Sequence, residues 1–116
     1  MILNYNIREK GGTYKLKVLI VSSNEISTRD LVNKMKEIFS DKRLDIEVKG
    51  VAYKDIISEI DGASVVLLGP HVKHSIRKVI KIAELKEIPV GVIDHITYGM
   101  GNAKKVIDTA MKLINK

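Results

Sequence analysis

The chain has 116 residues, the length of one domain with a single sizeable core. Hydrophobic content of 45% suits a globular protein; no apolar run approaches the roughly 18 residues of a membrane span, and no charged-then-apolar leader is seen, so a cytoplasmic location is expected. Lack of cysteine excludes disulfides, thiolate catalysis and thiolate metal sites, while the net charge of +6 rests mostly on dispersed lysines and, with only 4% aromatics, argues against a nucleic-acid partner.

In chain order, Met1 to Tyr14 carries no sustained periodicity and contains Gly11-Gly12. It reads as a flexible leader, with a short strand conceivable at Ile2 to Ile7, ahead of a single domain over residues 15–116. A β–α alternation begins at Lys15. The first strand is Lys17 to Val21, followed by a polar loop from Ser22 to Thr28. The first helix is Thr28 to Phe39, with Leu31, Met35, Ile38 and Phe39 on one face. Ser27 is the expected N-cap, and Asp30 stands where a capping box places its acid.

The second strand is Asp45 to Ala52. Its alternation of Ile46 and Val48 with polar residues marks an edge strand with one wetter face. A short helix at Tyr53 to Ile60 is stopped by Asp61-Gly62. The third strand, Ser64 to Leu68, is an apolar run buried on both faces. Next comes a helix at Val72 to Leu85, with Val72, Ile76, Val79, Ile80 and Ala83 inward. The fourth strand is Val90 to Ile93. A loop from Asp94 to Gly101, in which Tyr98 and Gly99 shape a turn, leads to a final helix at Asn102 to Ile114.

Four short strands alternating with helices predict an α/β fold: a four-stranded parallel sheet with helices on both faces. Right-handed crossovers lead to strand order 2-1-3-4. Ligands of such sheets bind at the carboxyl ends of the strands, where the winding reverses. That point lies between the first and third strands, flanked by the Ser22 loop and by Gly69-Pro70-His71, with the Asp94 loop on the same rim. A strand feeding a hydroxyl-rich loop at a helix start is a ready place for a phosphate group, because exposed N–H groups and the helix dipole favour an anion.

Several nucleotide and phosphate motifs are absent. No GxxxxGK[ST] or GxGxxG run occurs. The acidic pair of a receiver domain is replaced by serines, and its later aspartate by Gly69. Ser23 and Arg29 have the spacing of a C-x5-R phosphatase loop, but serine is a far poorer nucleophile than a thiolate. His71, His74 and His95 lack metal-ligand spacing, so no metal site and no cofactor are expected.

Three segments together carry a family resemblance. After the first strand stands Ser22-Ser23-Asn24-Glu25-Ile26-Ser27-Thr28-Arg29, then Leu31-Val32. After the third comes Val65-Val66-Leu67-Leu68-Gly69-Pro70-His71-Val72. Around the fourth is Ile88-Pro89-Val90-Gly91-Val92-Ile93-Asp94, then Tyr98-Gly99. In order and spacing these resemble the lactose/cellobiose-type enzyme IIB components of the bacterial phosphotransferase sugar-transport system, over nearly the whole chain. That family's patterns are C-x-x-G-M-S-T-S, V-V-L-L-G-P-Q-V and I-P-V-x-x-I-D.

The resemblance implies a phosphoryl relay: a cysteine takes the group from a histidine of a IIA phosphocarrier protein and passes it to a sugar held by the IIC membrane permease. The acceptor position is Ser22. The implied phosphate-binding loop is Ser23, Asn24, Glu25, Ile26, Ser27, Thr28 and Arg29, with Gly69, Pro70, His71, Asp94 and Tyr98 on the rim. Sugar would be met only through IIC, with no insertion of this chain into the membrane.

The departures fall on the chemistry. Ser22 replaces the cysteine, Glu25 the glycine, Ile26 the methionine and His71 the glutamine. A serine hydroxyl is hardly ionised at pH 7, and its phosphate ester is a poor donor. Whether the chain acts as a phosphotransferase is thus left open. The expectation is a IIB component impaired in relay; the alternative is a non-catalytic binding or regulatory module that keeps the fold. The neighbouring changes favour natural divergence over an engineered Cys→Ser substitution. Thr28 serves either phosphate or helix capping, Asp94 is expected to accept a turn N–H, and Lys73, His74, Arg77, Lys78 and Lys81 form a basic surface.

Overall fold

A computed structural model describes residues 16–23 and 25–115. The expected leader at 1–14, its short strand and Asn24 lie outside the described residues, as do the side chains of Glu25, Ser27, Lys73 and His74. Four strands form one sheet: β1 (Leu16–Ser22), β2 (Ile46–Ala52), β3 (Val65–Leu68) and β4 (Val90–Val92). All pairings are parallel and the order is β2-β1-β3-β4. Val18 lies between Val48 and Val65, so β1 is hydrogen-bonded along both edges.

Alternation along β1 divides the core. Leu16, Val18 and Ile20 face α1 (Arg29–Asp41) and α5 (Ala103–Ile114), packing with Leu31, Met35, Phe39, Val106 and Ile107. Leu19 and Val21 face the other way, toward α2 (Ile56–Glu59) and α3 (Ile76–Glu84), with Ile56, Ile60, Val79 and Ala83. Helices thus cover both faces, as periodicity predicts. Each fully buried side chain of this size contributes about 1.5–3 kcal/mol, so the two clusters fix the strand register. On β2, Ile46 and Val48 are buried while Glu47 and Lys49 are exposed, the expected wetter edge, where charge also discourages strand addition.

Differences from the sequence reading concentrate at helix starts. A 3-10 turn over Glu25–Thr28 precedes α1. Ser27 lies inside that turn, so it is not the N-cap and the Ser27–Asp30 capping box is corrected. Thr28 occupies the boundary in a helical conformation and makes no side-chain cap hydrogen bond. Similarly, 3-10 turns at Tyr53–Asp55 and Pro70–Ser75 replace the first turns expected of the second and third helices. Such 3-10 turns, tighter than an α-helix, are frequent at helix N-termini. The segment expected as a loop from Asp94 to Gly101 holds a further helix, α4 (His95–Gly99), which contains Tyr98 and Gly99.

Thr28 is wholly buried and leans on β2. A methyl group built on Gly50 would stand 2.5 Å from its hydroxyl oxygen. Glycine is required there by close approach. Gly50→Ala should therefore destabilise the fold by about 1–3 kcal/mol, the usual cost of overpacking, and chemical denaturation would measure it. An unchanged denaturation midpoint would show that Thr28 can yield without cost.

Candidate functional site

The carboxyl ends of β1 and β3 meet where the sheet winding reverses. Gly69 N–H donates to the Val21 carbonyl at 2.8 Å, extending the β1–β3 pairing past the end of β3. Ser22 is the last residue of β1 and is only 1% exposed. Strand alternation places it on the same side as Val18 and Ile20. Ser23 follows in the open, and the chain then enters the 3-10 turn that carries Glu25, Ile26, Ser27 and Thr28 to Arg29.

This turn does not present all its residues alike. Ile26 is 71% exposed, and Arg29 is exposed at the start of α1. Thr28 points inward, so its hydroxyl seats the loop against Gly50 instead of facing outward. A groove of about 330 Å³ runs beside the turn, lined by Ile26, Arg29, Val32, Lys36 and, from β2, Lys49 and Gly50. The part played by β2 escaped the sequence reading, although Gly50 within an otherwise regular strand was a signal of close approach. Lys49 also pairs with Glu59 across the sheet end, which holds the Glu59 carboxyl below its usual range through that hydrogen bond and charge.

The opposite rim is built by two elements. Gly69 and Pro70 are buried, and the Tyr98 ring from α4 rests on Gly69. A methyl group at Gly69 would stand 3.3 Å from both the Tyr98 ring and the Val21 carbonyl oxygen. His71 projects outward and meets Tyr98 edge to face, with ring centres 6.2 Å apart and planes at 87°. The structure thus joins Gly69, Pro70, His71 and Tyr98 into one unit beside the end of β1.

Asp94 shows why the supposed loop is helical. Its carboxylate accepts from the Thr97 backbone N–H at 2.8 Å and from the Thr97 hydroxyl at 2.9 Å, capping α4. The turn-aspartate expectation is met, and the Asp94…Thr97 spacing was the available sequence signal for a helix. These bonds, the backbone one foremost, hold the Asp94 carboxyl below its usual range; Lys105, 4.0 Å away, adds to them. Among the described residues, no group of three His, Asp or Glu side chains is placed to hold a metal ion.

Because the Asp94 pKa is lowered on folding, the cap is fully present above the ordinary aspartate value of 3.8 and is lost as pH falls through the lowered value. Protection of the Thr97 amide, followed by hydrogen exchange with correction for intrinsic rate, should drop in that acid window. Asp94→Asn should keep a cap but abolish the pH dependence. Equal acid sensitivity in that variant would assign the effect to another group.

Comparison with known proteins bears on this geometry. The family described as "PTS system, Lactose/Cellobiose specific IIB subunit" matches residues 17–109. The oligo-beta-mannoside-specific EIIB component of Bacillus subtilis (strain 168) is 33% identical over 98 residues, covering 84% of this chain and 95% of that protein. The cellobiose-specific EIIB component of Lactococcus lactis subsp. lactis (strain IL1403) is 35% identical over 95 residues, covering 78% and 88% respectively. Among solved structures, the cellobiose-specific phosphotransferase IIB component of Borrelia burgdorferi superposes with a TM-score of 0.76 at 27% identity, over 90% of this chain and 95% of that one. The chain, with its parallel 2-1-3-4 sheet and reversal-point loop, belongs to the lactose/cellobiose-specific IIB family of the phosphotransferase system.

Proposed function

We propose that this chain is a sugar-specific IIB-type component that engages a IIA phosphocarrier and a IIC permease but relays phosphate to sugar poorly. One observation carries the reading: the strand-end position that the family pattern assigns to the phosphoryl acceptor is a serine, 1% exposed. Phosphoryl transfer requires the attacking and leaving atoms in line with phosphorus, with donors around the equatorial oxygens. An aliphatic hydroxyl needs a base in order to attack, and a positioned base typically contributes about 10²–10⁴-fold; the thiolate that the family pattern places here needs none.

The loop amides from Ser23 to Arg29 remain the proposed anion cradle, with Ser27 among them. Glu25 stands where the family pattern has glycine, so the sequence of this turn carries one more negative charge than the pattern. No helix of the described residues is long and apolar enough to cross a membrane. Relatives are named for oligo-beta-mannoside, cellobiose and galactose.

The test is sugar-phosphate formation with phosphorylated IIA protein and IIC-containing vesicles. The unaltered chain should give little product. The double variant Ser22→Cys, Glu25→Gly should raise the rate by at least about 100-fold, the lower bound of what a positioned base contributes to a hydroxyl and a thiolate does not need. Rapid sugar phosphorylation by the unaltered chain would overturn the reading.

A further inference from the structure

Among the described residues, His71 is an exposed nucleophile beside the ends of β1 and β3 that the relay reading leaves unused. His71 projects outward between two buried neighbours, Pro70 and Val72. The Val72 N–H donates to the Gly69 carbonyl at 3.2 Å, and Gly69 is itself bonded to Val21. The backbone on both sides of His71 is therefore tied to the ends of β3 and β1. Tyr98 supports one edge of the imidazole at a centroid distance of 6.2 Å. This combination restricts the ring while leaving it open, the condition for presenting a nucleophile in one orientation. Ser22, on the neighbouring strand end, is closed in.

We propose that His71 accepts a phosphoryl group from the phosphorylated histidine of the IIA protein, in place of the residue at position 22. The inference rests on the reading that this chain docks a IIA donor on this rim. In the step, the lone-pair nitrogen of the unprotonated His71 imidazole attacks phosphorus. A new N–P bond forms as the N–P bond to the donor imidazole breaks. The electron pair leaves with the donor ring, and one proton passes from the His71 ring to that ring. Bond broken and bond formed are of the same kind, so no further co-reactant is needed. Transfer from a phosphohistidine to a serine would instead end in a stable ester. Phosphorylation adds close to two negative charges to the rim (about −1.5 to −2 for a phosphate near pH 7). The docking face thereby reports whether the donor is charged with phosphate.

The experiment uses the full chain and ³²P-phosphorylated IIA protein, with IIA binding measured separately by calorimetry. The expected label is acid-labile and alkali-stable, as a phosphoramidate is. It should fall at least ten-fold in His71→Gln and persist in His95→Gln, which alters another exposed histidine of the same rim. His71→Gln should melt as the parent does, because the side chain is exposed. An acid-stable label, a label that survives His71→Gln, or no label on a chain that binds IIA protein would overturn the proposal. Failure to bind IIA protein would overturn the docking reading instead. The small donor phosphoramidate then decides the residue's reactivity: ten-fold weaker labelling of His71→Gln supports an activated His71, and equal labelling overturns it.

Discussion

Everything at the functional end of this domain depends on β1 being hydrogen-bonded on both edges and buried on both faces. Val18, Leu19, Ile20 and Val21 are all inaccessible to solvent. A strand so enclosed cannot slip by one residue without exchanging its two apolar sets, which would turn Ile20 and Val21 to the wrong helices. Its end is therefore fixed in space. Ser22 lies where that constraint stops, and the following turn must leave the sheet at the reversal between β1 and β3.

The two sides of that exit are held by different forces. On the β2 side the fixing contact is steric: Thr28 fits against Gly50 because that residue has no Cβ. On the β3 side, polar and aromatic contacts work together. Asp94 caps α4, α4 carries Tyr98, and Tyr98 lies on Gly69 and beside His71. A change at Asp94 would thus bear on His71 through α4 and the ring of Tyr98. Long-range charge has little part in this, since the carboxylate is exposed and its partners are mostly dipoles within one turn.

Family membership rests on the frame, whereas activity rests on a few atoms set upon it. Frame and strand order are those of a IIB domain, and the relationship rests on a match spanning residues 17–109. The likeness to the lactose-specific IIB domain structure from Streptococcus pneumoniae, 18% identical at a TM-score of 0.70, concerns the fold alone. Chemistry is a property of a few atoms on that frame. Replacing sulfur by oxygen at a strand end leaves the packing almost unchanged and alters the acidity and nucleophilicity of the group by orders of magnitude. A cysteine-free chain can keep the architecture while its phosphate chemistry moves or lapses.

The sequence by itself determined the sheet, its order and its two apolar faces. Those features follow from repeating patterns: continuous Val-Leu-Ile runs at β1 and β3, alternation at β2, and helical periodicity at α1, α3 and α5. It also located the reversal-point rim, since Gly69-Pro70-His71 and Asp94 sit directly after strands. Local order at the helix starts was not legible. Ser27 resembles an N-cap in sequence, yet the chain winds there into a 3-10 turn whose last residue, Thr28, packs onto Gly50 from another strand. The helical state of His95 to Gly99 was signalled by Asp94 and Thr97, but five residues are too short for periodicity to speak. Only the tertiary structure decided that Ser22 is buried and that Tyr98 meets Gly69 and His71 on one rim, because such contacts depend on neighbours brought in from other strands and helices.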